Sequence, residues 1–195
     1  MTSRDIADDI LKIMKQEFWP EKQMKWDMVK SESDKNYWTP EIKKFFKKVG
    51  DHLGYVTLAS GLEEGSWEYL LDVVIVKRQG KNWQDQRGIV IAIESEWSTK
   101  PGDVHYDFMK LSDIKADLRV MVYTDIQSQG EENWSKRKII PLLCEISNNH
   151  LHRQADDAYL GIGIPDFQSS NSPKPKAFFW TADGSAVEEI NFDKW

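Results

Sequence analysis

Two glutamates one residue apart follow an apolar run in the stretch GIVIAIESEW, which begins at Gly88. Side chains alternate across a strand, so Glu94 and Glu96 would project to the same face. A third carboxylate, Asp72, interrupts the apolar run YLLDVVIV. If the two runs pair as a hairpin, Asp72 can lie beside Glu94. Because buried charges are costly, three converging carboxylates require a cation or a proton to neutralise them.

The chemistry that such a group could carry is metal-assisted hydrolysis. Oxygen-only ligands suit Mg²⁺ or Mn²⁺, which keep several waters and share their shell with a substrate phosphate. The ion would polarise that phosphate and lower the pKa of the attacking water. Asp72, Glu94 and Glu96 together therefore predict a divalent-metal site. The alternative is that a glutamate at a strand end simply faces solvent, which is the interpretation we favour for Glu96 taken alone.

The elements that must position these carboxylates begin with a helix. Thr39 can cap it, Pro40 suits its first position, and an apolar stripe runs through the following residues. Three strand patterns come next: YVTLAS, WEYLLDVVIVK and GIVIAIESEW. Their short connectors favour antiparallel pairing. A helix capped by Asp103 and the strand DLRVMVYTD then predict a crossover, which places this last strand parallel to the third.

Further elements are expected on both sides of this core. Thr2 to about Trp19 has the pattern of an amphipathic helix that ends at Pro20. Beyond the core, residues 131 to about 149 predict a helix in which Pro141 is a kink or a late start. Additional strands are DAYLGIGIPD and the hairpin partners KAFFWTAD and SAVEEINF. We expect a helical extension over residues 1–38 and an α/β domain over residues 39–195.

The element order and the acidic residues resemble the PD-(D/E)xK nucleases of the restriction-endonuclease-like superfamily. The resemblance covers about residues 39–124 and is carried by LLDVVIV, IAIESEW and the helix-strand stretch DVHYDFMKLSDIKADLRVMVY. It implies an α/β restriction-endonuclease-like core of one helix, three antiparallel strands, a crossover helix and a parallel strand. Asp72 matches the metal-binding aspartate of the second core strand. Glu94 matches the acidic residue that opens the Glu-x-Lys element of the third.

Glu96 stands where the family most often has lysine. That lysine is held to stabilise the hydroxide nucleophile or the developing phosphorane charge, and a glutamate cannot do this as a cation. Some restriction enzymes of the superfamily have Glu-x-Glu, with the second glutamate as metal ligand or base, and others draw a lysine from the following helix. Lys110 is our first candidate for such a lysine and Lys100 the second. Alternatively, Lys110 is a surface lysine paired with Asp107 or Asp113.

Other titratable residues are weaker candidates. The family sometimes adds a glutamate from the first core helix, which would be Glu41, but a helix-dipole partner explains its position better. His105 could approach the carboxylates as an acid or base. His150 and His152 fit surface histidines at a helix end better than they fit metal ligands.

Composition limits the partners and the location. The net charge of −6 argues against a general nucleic-acid coating protein, although lysine clusters at residues 43–48 and at SKRK can still steer a polyanion locally. Cys144 is the only cysteine, which excludes an intrachain disulfide. No apolar run approaches the roughly eighteen residues of a membrane span, and the N-terminus resembles no signal peptide. We therefore expect a cytoplasmic protein without a membrane partner.

The function that we favour from the sequence is restriction-enzyme-like cleavage of DNA with Mg²⁺ or Mn²⁺. Asp72 and Glu94 would bind the metal, Glu96 would bind it or activate water, and Lys110 or Lys100 would stabilise charge. A homodimer is a further expectation, since double-strand cutters with this core commonly dimerise. Two alternatives remain open: a catalytically inactive nuclease fold that binds nucleic acid or protein, and a regulatory or immunity-type protein that binds another protein through an aromatic-rich surface.

Overall fold

Strands rich in Val and Ile alternate with amphipathic helices along the chain and form one mixed seven-stranded sheet. A computed structural model describes residues 1–24, 35–61, 70–78, 86–126, 134–166, 174–183 and 186–192. The helices are α1 (Ser3–Ile13), α2 (Trp19–Met24), α3 (Lys35–Leu53), α4 (Pro101–Ser112) and α5 (Ile140–Asn149), with π-helical turns at Met14–Phe18 and Ser135–Ile139. The strands are β1 (Val56–Ala59), β2 (Val73–Arg78), β3 (Gln86–Glu96), β4 (Ala116–Asp125), β5 (Ala158–Pro165), β6 (Lys176–Thr181) and β7 (Glu188–Ile190).

The sheet contains both strand directions, in the spatial order β1 to β7. Strands β1, β2 and β3 pair antiparallel, whereas β4 pairs parallel with β3 and with β5. Strands β6 and β7 add antiparallel neighbours at the far edge. These pairings confirm the α/β class, the antiparallel start, the parallel strand after the crossover helix and the C-terminal hairpin. Strands β1, β3, β4 and β5 therefore run in the same direction, and their carboxyl ends lie at the same end of the sheet.

Helices cover both faces of the sheet, which is why its central strands are continuous apolar runs. Helices α1 and α3 share one core with side chains of the central strands. This core includes Ile10 of α1, Phe46 of α3 and Ile91 of β3. Helices α4 and α5 form the core of the opposite face, with Phe108 and Leu143 fully buried. In the part of the chain that the structure describes, no helix is both long and apolar enough to span a bilayer.

Proline positions made two helix boundaries wrong in the sequence analysis. Pro20 does not end the N-terminal helical segment, because the chain continues through a π-helical turn into α2, whose second residue is Pro20. Likewise, α3 begins at Lys35, so Pro40 lies inside it and Thr39 is not its cap. Thr39 has a different contact: its Oγ1 accepts a hydrogen bond from Trp97 Nε1 at 3.0 Å.

Helix α4 also begins earlier than expected. Its N-cap is Lys100 and Pro101 lies in its first turn, so Asp103 is a first-turn residue and not the cap. Pro is favoured there because its fixed φ suits the first helical position. The predicted helix after residue 131 can be assessed only from Trp134 onward. From there the chain is helical, and a π-helical turn leads directly into α5, so Pro141 lies within a continuous helical segment and does not mark a late start.

Candidate active site

Glu94 is a buried carboxylate at the carboxyl end of β3. The ladder between β2 and β3 pairs Val73 with Ile93, which places Glu94 at the edge where β2 begins. A register shift beside Ile91 moves Val90 into the core of the α1 and α3 face, whereas Ala92 packs in the core of the opposite face. The side chain of Glu94 is only 3% exposed. A charged group at this depth requires a compensating partner.

Lys110 of α4 is that partner. Its Nζ lies 2.8 Å from Glu94 Oε1 and also 2.8 Å from Asp107 Oδ1, one helical turn earlier. The ammonium approaches Oε1 at an angle outside hydrogen-bond geometry, so Oε1 is a buried acceptor without a hydrogen-bond donor among the described residues. The structure therefore brings together Glu94 and Lys110, the pair that the sequence analysis ranked first.

Burial controls the charge state of Glu94. It raises the pKa of Glu94 to about 7; contact with Lys110 opposes this effect, and the charges of Asp72 and Asp107 add to it. Burial acts to lower the pKa of Lys110, but Asp107 and Glu94 outweigh it and raise the pKa above its usual value. Lys110 is thus a fixed cation beside a carboxyl group that titrates near neutrality.

Asp72 lies at the entrance of β2 and not within the strand. Residues 70–72 form a bend, and β2 begins at Val73. The first three residues of the predicted strand WEYLLDVVIVK, residues 67–69, lie outside the described residues. Asp72 Oδ2 accepts hydrogen bonds from Ser95 N at 2.9 Å and from Ser95 Oγ at 2.6 Å. These bonds tie the start of β2 to the end of β3. They place the charge of Asp72 close enough to affect Glu94.

Glu96 is half-buried and contributes to the turn that follows β3. Its Oε1 accepts a hydrogen bond from Ser98 N at 2.6 Å. Among the described residues, no group of three His, Cys, Asp or Glu side chains is arranged to hold a metal ion. Asp72, Glu94 and Glu96 thus lie at one end of a strand pair without closing into a three-ligand cluster.

The residues present fit a hard divalent cation that keeps most of its waters. Mg²⁺ is commonly bound by one or two carboxylates together with substrate phosphate, so a dedicated protein cage is not required. Glu94 offers a buried carboxylate whose Oε1 is in contact with the Lys110 ammonium and receives no hydrogen bond of regular geometry within the described ranges, and Asp72 adds a second charge. Glu94 and Asp72 are therefore the side chains that could hold such an ion.

An aromatic pair fixes the backbone just beyond the carboxylates. Trp97 stacks on Trp38 with a centroid distance of 5.7 Å and an interplanar angle of 24°. Thr124 Oγ1 of β4 donates to the carbonyl oxygen of Trp97 at 3.1 Å. The bond from Trp97 to Thr39 ties the same point to α3. The end of β3 is held by α3 and by β4, which limits movement of Glu94 and Glu96.

The other sequence candidates lie elsewhere. Glu41 pairs with Lys22 and Lys44, and it stands beyond the first turn of α3, which also removes the helix-dipole explanation. Lys100 is exposed at the N-cap of α4, and no described contact joins it to Glu94. His105 lines a groove of about 540 Å³ between α4 and the end of α5, together with His150.

Asp107 and Ser95 are the site residues that sequence reasoning undervalued. Asp107 entered only as a surface partner of Lys110, although its spacing of three residues on a helix could have linked it to whatever Lys110 contacts. The alternative partner, Asp113, binds His150 instead, at 2.8 Å. Ser95 could not be found from sequence, because its role depends on the register of β2 and β3.

Comparisons of this chain with protein-family models, with curated proteins and with solved structures found no match. A function for the chain therefore has to be argued from its sequence motif and from the geometry around Glu94.

Proposed function

We propose that this protein is a Mg²⁺- or Mn²⁺-dependent DNA endonuclease with a restriction-endonuclease-like core. The observation that supports this most strongly is the contact of Lys110 with the buried Glu94. Glu96 leaves the strand without the lysine usual in the resembled family, and Lys110 supplies a cation to the same strand end from the crossover helix. A cation and two carboxylates at one sheet edge are the charges that phosphodiester hydrolysis requires.

Each side chain then has a defined task. A divalent ion held by Asp72 and Glu94 would polarise the scissile phosphate and lower the pKa of the attacking water. The Lys110 ammonium would donate to the negative charge that develops on the phosphate oxygens. Glu96, anchored through Oε1 to the Ser98 N–H, would contribute its carboxylate as a ligand or as a base toward water.

Basic side chains near the same edge support DNA as the substrate. Ser135, which opens the basic segment SKRK, donates from its N–H and its Oγ to Asp125 at the carboxyl end of β4. Lys136 of this segment pairs with Glu189 at 2.6 Å, whereas Arg137 and Lys138 are exposed and offer the charge of the segment to a phosphate. A local cluster of this kind can contact phosphates despite a net charge of −6.

The lysines of α3 contribute less net charge. Lys43 donates to the side chain and carbonyl oxygens of Ser60, just beyond the carboxyl end of β1. Lys44 pairs with Glu41, and Lys47 pairs with Asp51. We therefore assign the phosphate contacts to SKRK and not to the α3 row.

Plasmid cleavage tests the proposal. The wild-type protein should nick or cut DNA with Mg²⁺ or Mn²⁺ and should lose this activity with chelator. Glu94→Ala and Lys110→Ala should each lower the cleavage rate by about 10²-fold or more. Lys115→Ala, which removes an exposed lysine beyond the end of α4, is the matched control and should cleave normally. Cleavage by both wild type and Glu94→Ala, or by neither across varied metal and salt, would contradict the proposed chemistry.

A second candidate is a nuclease fold that binds nucleic acid without cleaving it. It is favoured by the hydrogen bonds that already engage Asp72 Oδ2 and Glu96 Oε1. Calorimetric titration with Mn²⁺ discriminates between the two. An active site should bind the ion and lose it in Asp72→Asn, whereas a binding module should bind DNA equally well with and without the ion.

A further inference from the structure

Within the described ranges Lys110 has two carboxylate partners, and only one of them belongs to the metal site proposed above. Glu94 comes from β3, whereas Asp107 comes from the same helix as Lys110, three residues earlier. The Lys110 Nζ is equally close to both, at 2.8 Å. Helix geometry fixes the separation of residues three apart, so the contact with Asp107 does not depend on the charge of Glu94.

The contact with Glu94 is the less secure of the two. A cation bound at Glu94 would neutralise its negative charge and would also repel the Lys110 ammonium. A lysine side chain is long and flexible, so a lysine without a second anchor would move toward solvent. A catalytic lysine has to stay at the site while a metal ion is bound to Glu94.

Among the neighbours of Lys110 that the structure describes, Asp107 is the anchor. Asp107 is largely shielded from solvent, its side chain being 16% exposed. Tyr106 adds a ring whose centroid lies 6.0 Å from Nζ, which is a long cation–π contact. Asp113, the next carboxylate along the helix, is engaged by His150.

We propose that Asp107 is a positioning residue that keeps the Lys110 ammonium beside Glu94 when the charge of Glu94 is neutralised. Its consequence for catalysis rests on the proposed nuclease function, whereas the positioning itself does not. Asp107 acts through Lys110 and touches neither the metal nor the substrate.

Chemical labelling of Lys110 without metal or DNA tests the positioning. Trace acylation of amines followed by peptide mass spectrometry reports the labelling rate of each lysine. A lysine held in an ion pair reacts slowly, because only the uncharged amine is acylated. Glu94→Gln mimics a neutralised Glu94, and Asp107→Asn removes the anchor at nearly constant shape. Lys115 at the end of α4 serves as the internal reference in every sample.

The expected pattern is specific. Lys110 should stay protected in wild type and in Glu94→Gln, and its labelling rate should rise about tenfold in Glu94→Gln/Asp107→Asn, as for a loss of one pKa unit. Asp107→Glu in the Glu94→Gln background should restore protection. Equal rates in Glu94→Gln and in the double variant would overturn the proposal. Unchanged Lys115 labelling and a native near-UV circular dichroism spectrum show that the variants are folded.

Cleavage kinetics provide the second readout. If plasmid DNA is cut, Asp107→Asn should lower kcat about tenfold or more while KM for DNA stays unchanged. A higher KM with unchanged kcat would assign Asp107 to DNA binding and refute a positioning role. If no form of the protein cuts DNA, the proposed nuclease function fails, and the labelling result alone decides whether Asp107 holds Lys110.

Discussion

Replacing the buried carboxyl group of Glu94 by an amide should stabilise the protein at neutral pH. Burial raises the pKa of Glu94 to about 7 in the folded chain, compared with 4.5 for an ordinary glutamate. Below pH 4.5 the residue is protonated in both the folded and the unfolded state, so Glu94→Gln changes little there. Between these values only the unfolded chain ionises, and the free energy of unfolding of the wild type falls as pH rises.

The size of the effect follows from the difference between the two pKa values. One pKa unit corresponds to about 1.4 kcal/mol, so the wild type should lose up to about 3 kcal/mol of unfolding free energy by pH 8, a loss that Glu94→Gln avoids. Urea unfolding at about pH 4.5 and about pH 8 in the presence of chelator, followed by tryptophan fluorescence, measures both proteins. Glu145→Gln, which changes an exposed glutamate of α5, controls for the substitution itself.

The result that would refute this reasoning has the opposite sign. If Glu94→Gln destabilises the protein and the loss grows with pH, the ion pair with Lys110 outweighs burial, and Glu94 is already ionised near neutrality. A difference that does not change with pH would also contradict a carboxyl group that titrates near neutrality. Stabilisation at about pH 8, together with loss of DNA cleavage, would identify Glu94 as a residue kept for function at the expense of stability.

Two further predictions concern the residues that support the sheet. Arg119 is 3% exposed and pairs with Asp157 at 3.1 Å. Arg119→Met should lower the free energy of unfolding, measured with urea, by about 3 kcal/mol, because it leaves the shielded Asp157 carboxylate without its cationic partner. Gly163→Ala should lower it by about 1–3 kcal/mol, since the added Cβ would lie 2.9 Å from Asp125 Cβ. Gly102→Ala, with nothing within 4 Å of its added Cβ, is the control and should change the melting temperature little.

Local patterns predicted the sheet because they agree with its tertiary environment. The Val and Ile runs of β2 and β3 are buried on both faces, so strand propensity and burial point the same way. The helix boundaries were misjudged because Pro20 and Pro40 look like boundaries in sequence. Pro40 is the sixth residue of α3, so this helix continues through a proline and loses one backbone hydrogen bond there. The register shift that moves Val90 depends on the pairing of β2 with β3, which no single strand encodes.

The candidate site was predictable where residues share one element. Glu94 and Glu96 alternate on one strand, and Asp107 and Lys110 are three residues apart on one helix, so each pair follows from spacing. The contact between Lys110 and Glu94 joins a helix to a strand and was only a ranked expectation. Its distance depends on how α4 packs over the sheet, where Phe108 contacts Tyr159 of β5 and Trp180 of β6. Contacts across elements therefore required the structure.

Glu96 and Lys110 are best understood as one arrangement and not as a substitution with a separate repair. Glu96 Oε1 accepts the Ser98 N–H in the turn that leads to α4. A lysine at position 96 could not accept that hydrogen bond, because an ammonium has no acceptor. The turn would lose a contact that helps to orient α4, and α4 carries Lys110 to Glu94. In the proposed nuclease site, a glutamate in the usual lysine position would thus support the turn that leads to the helix carrying Lys110.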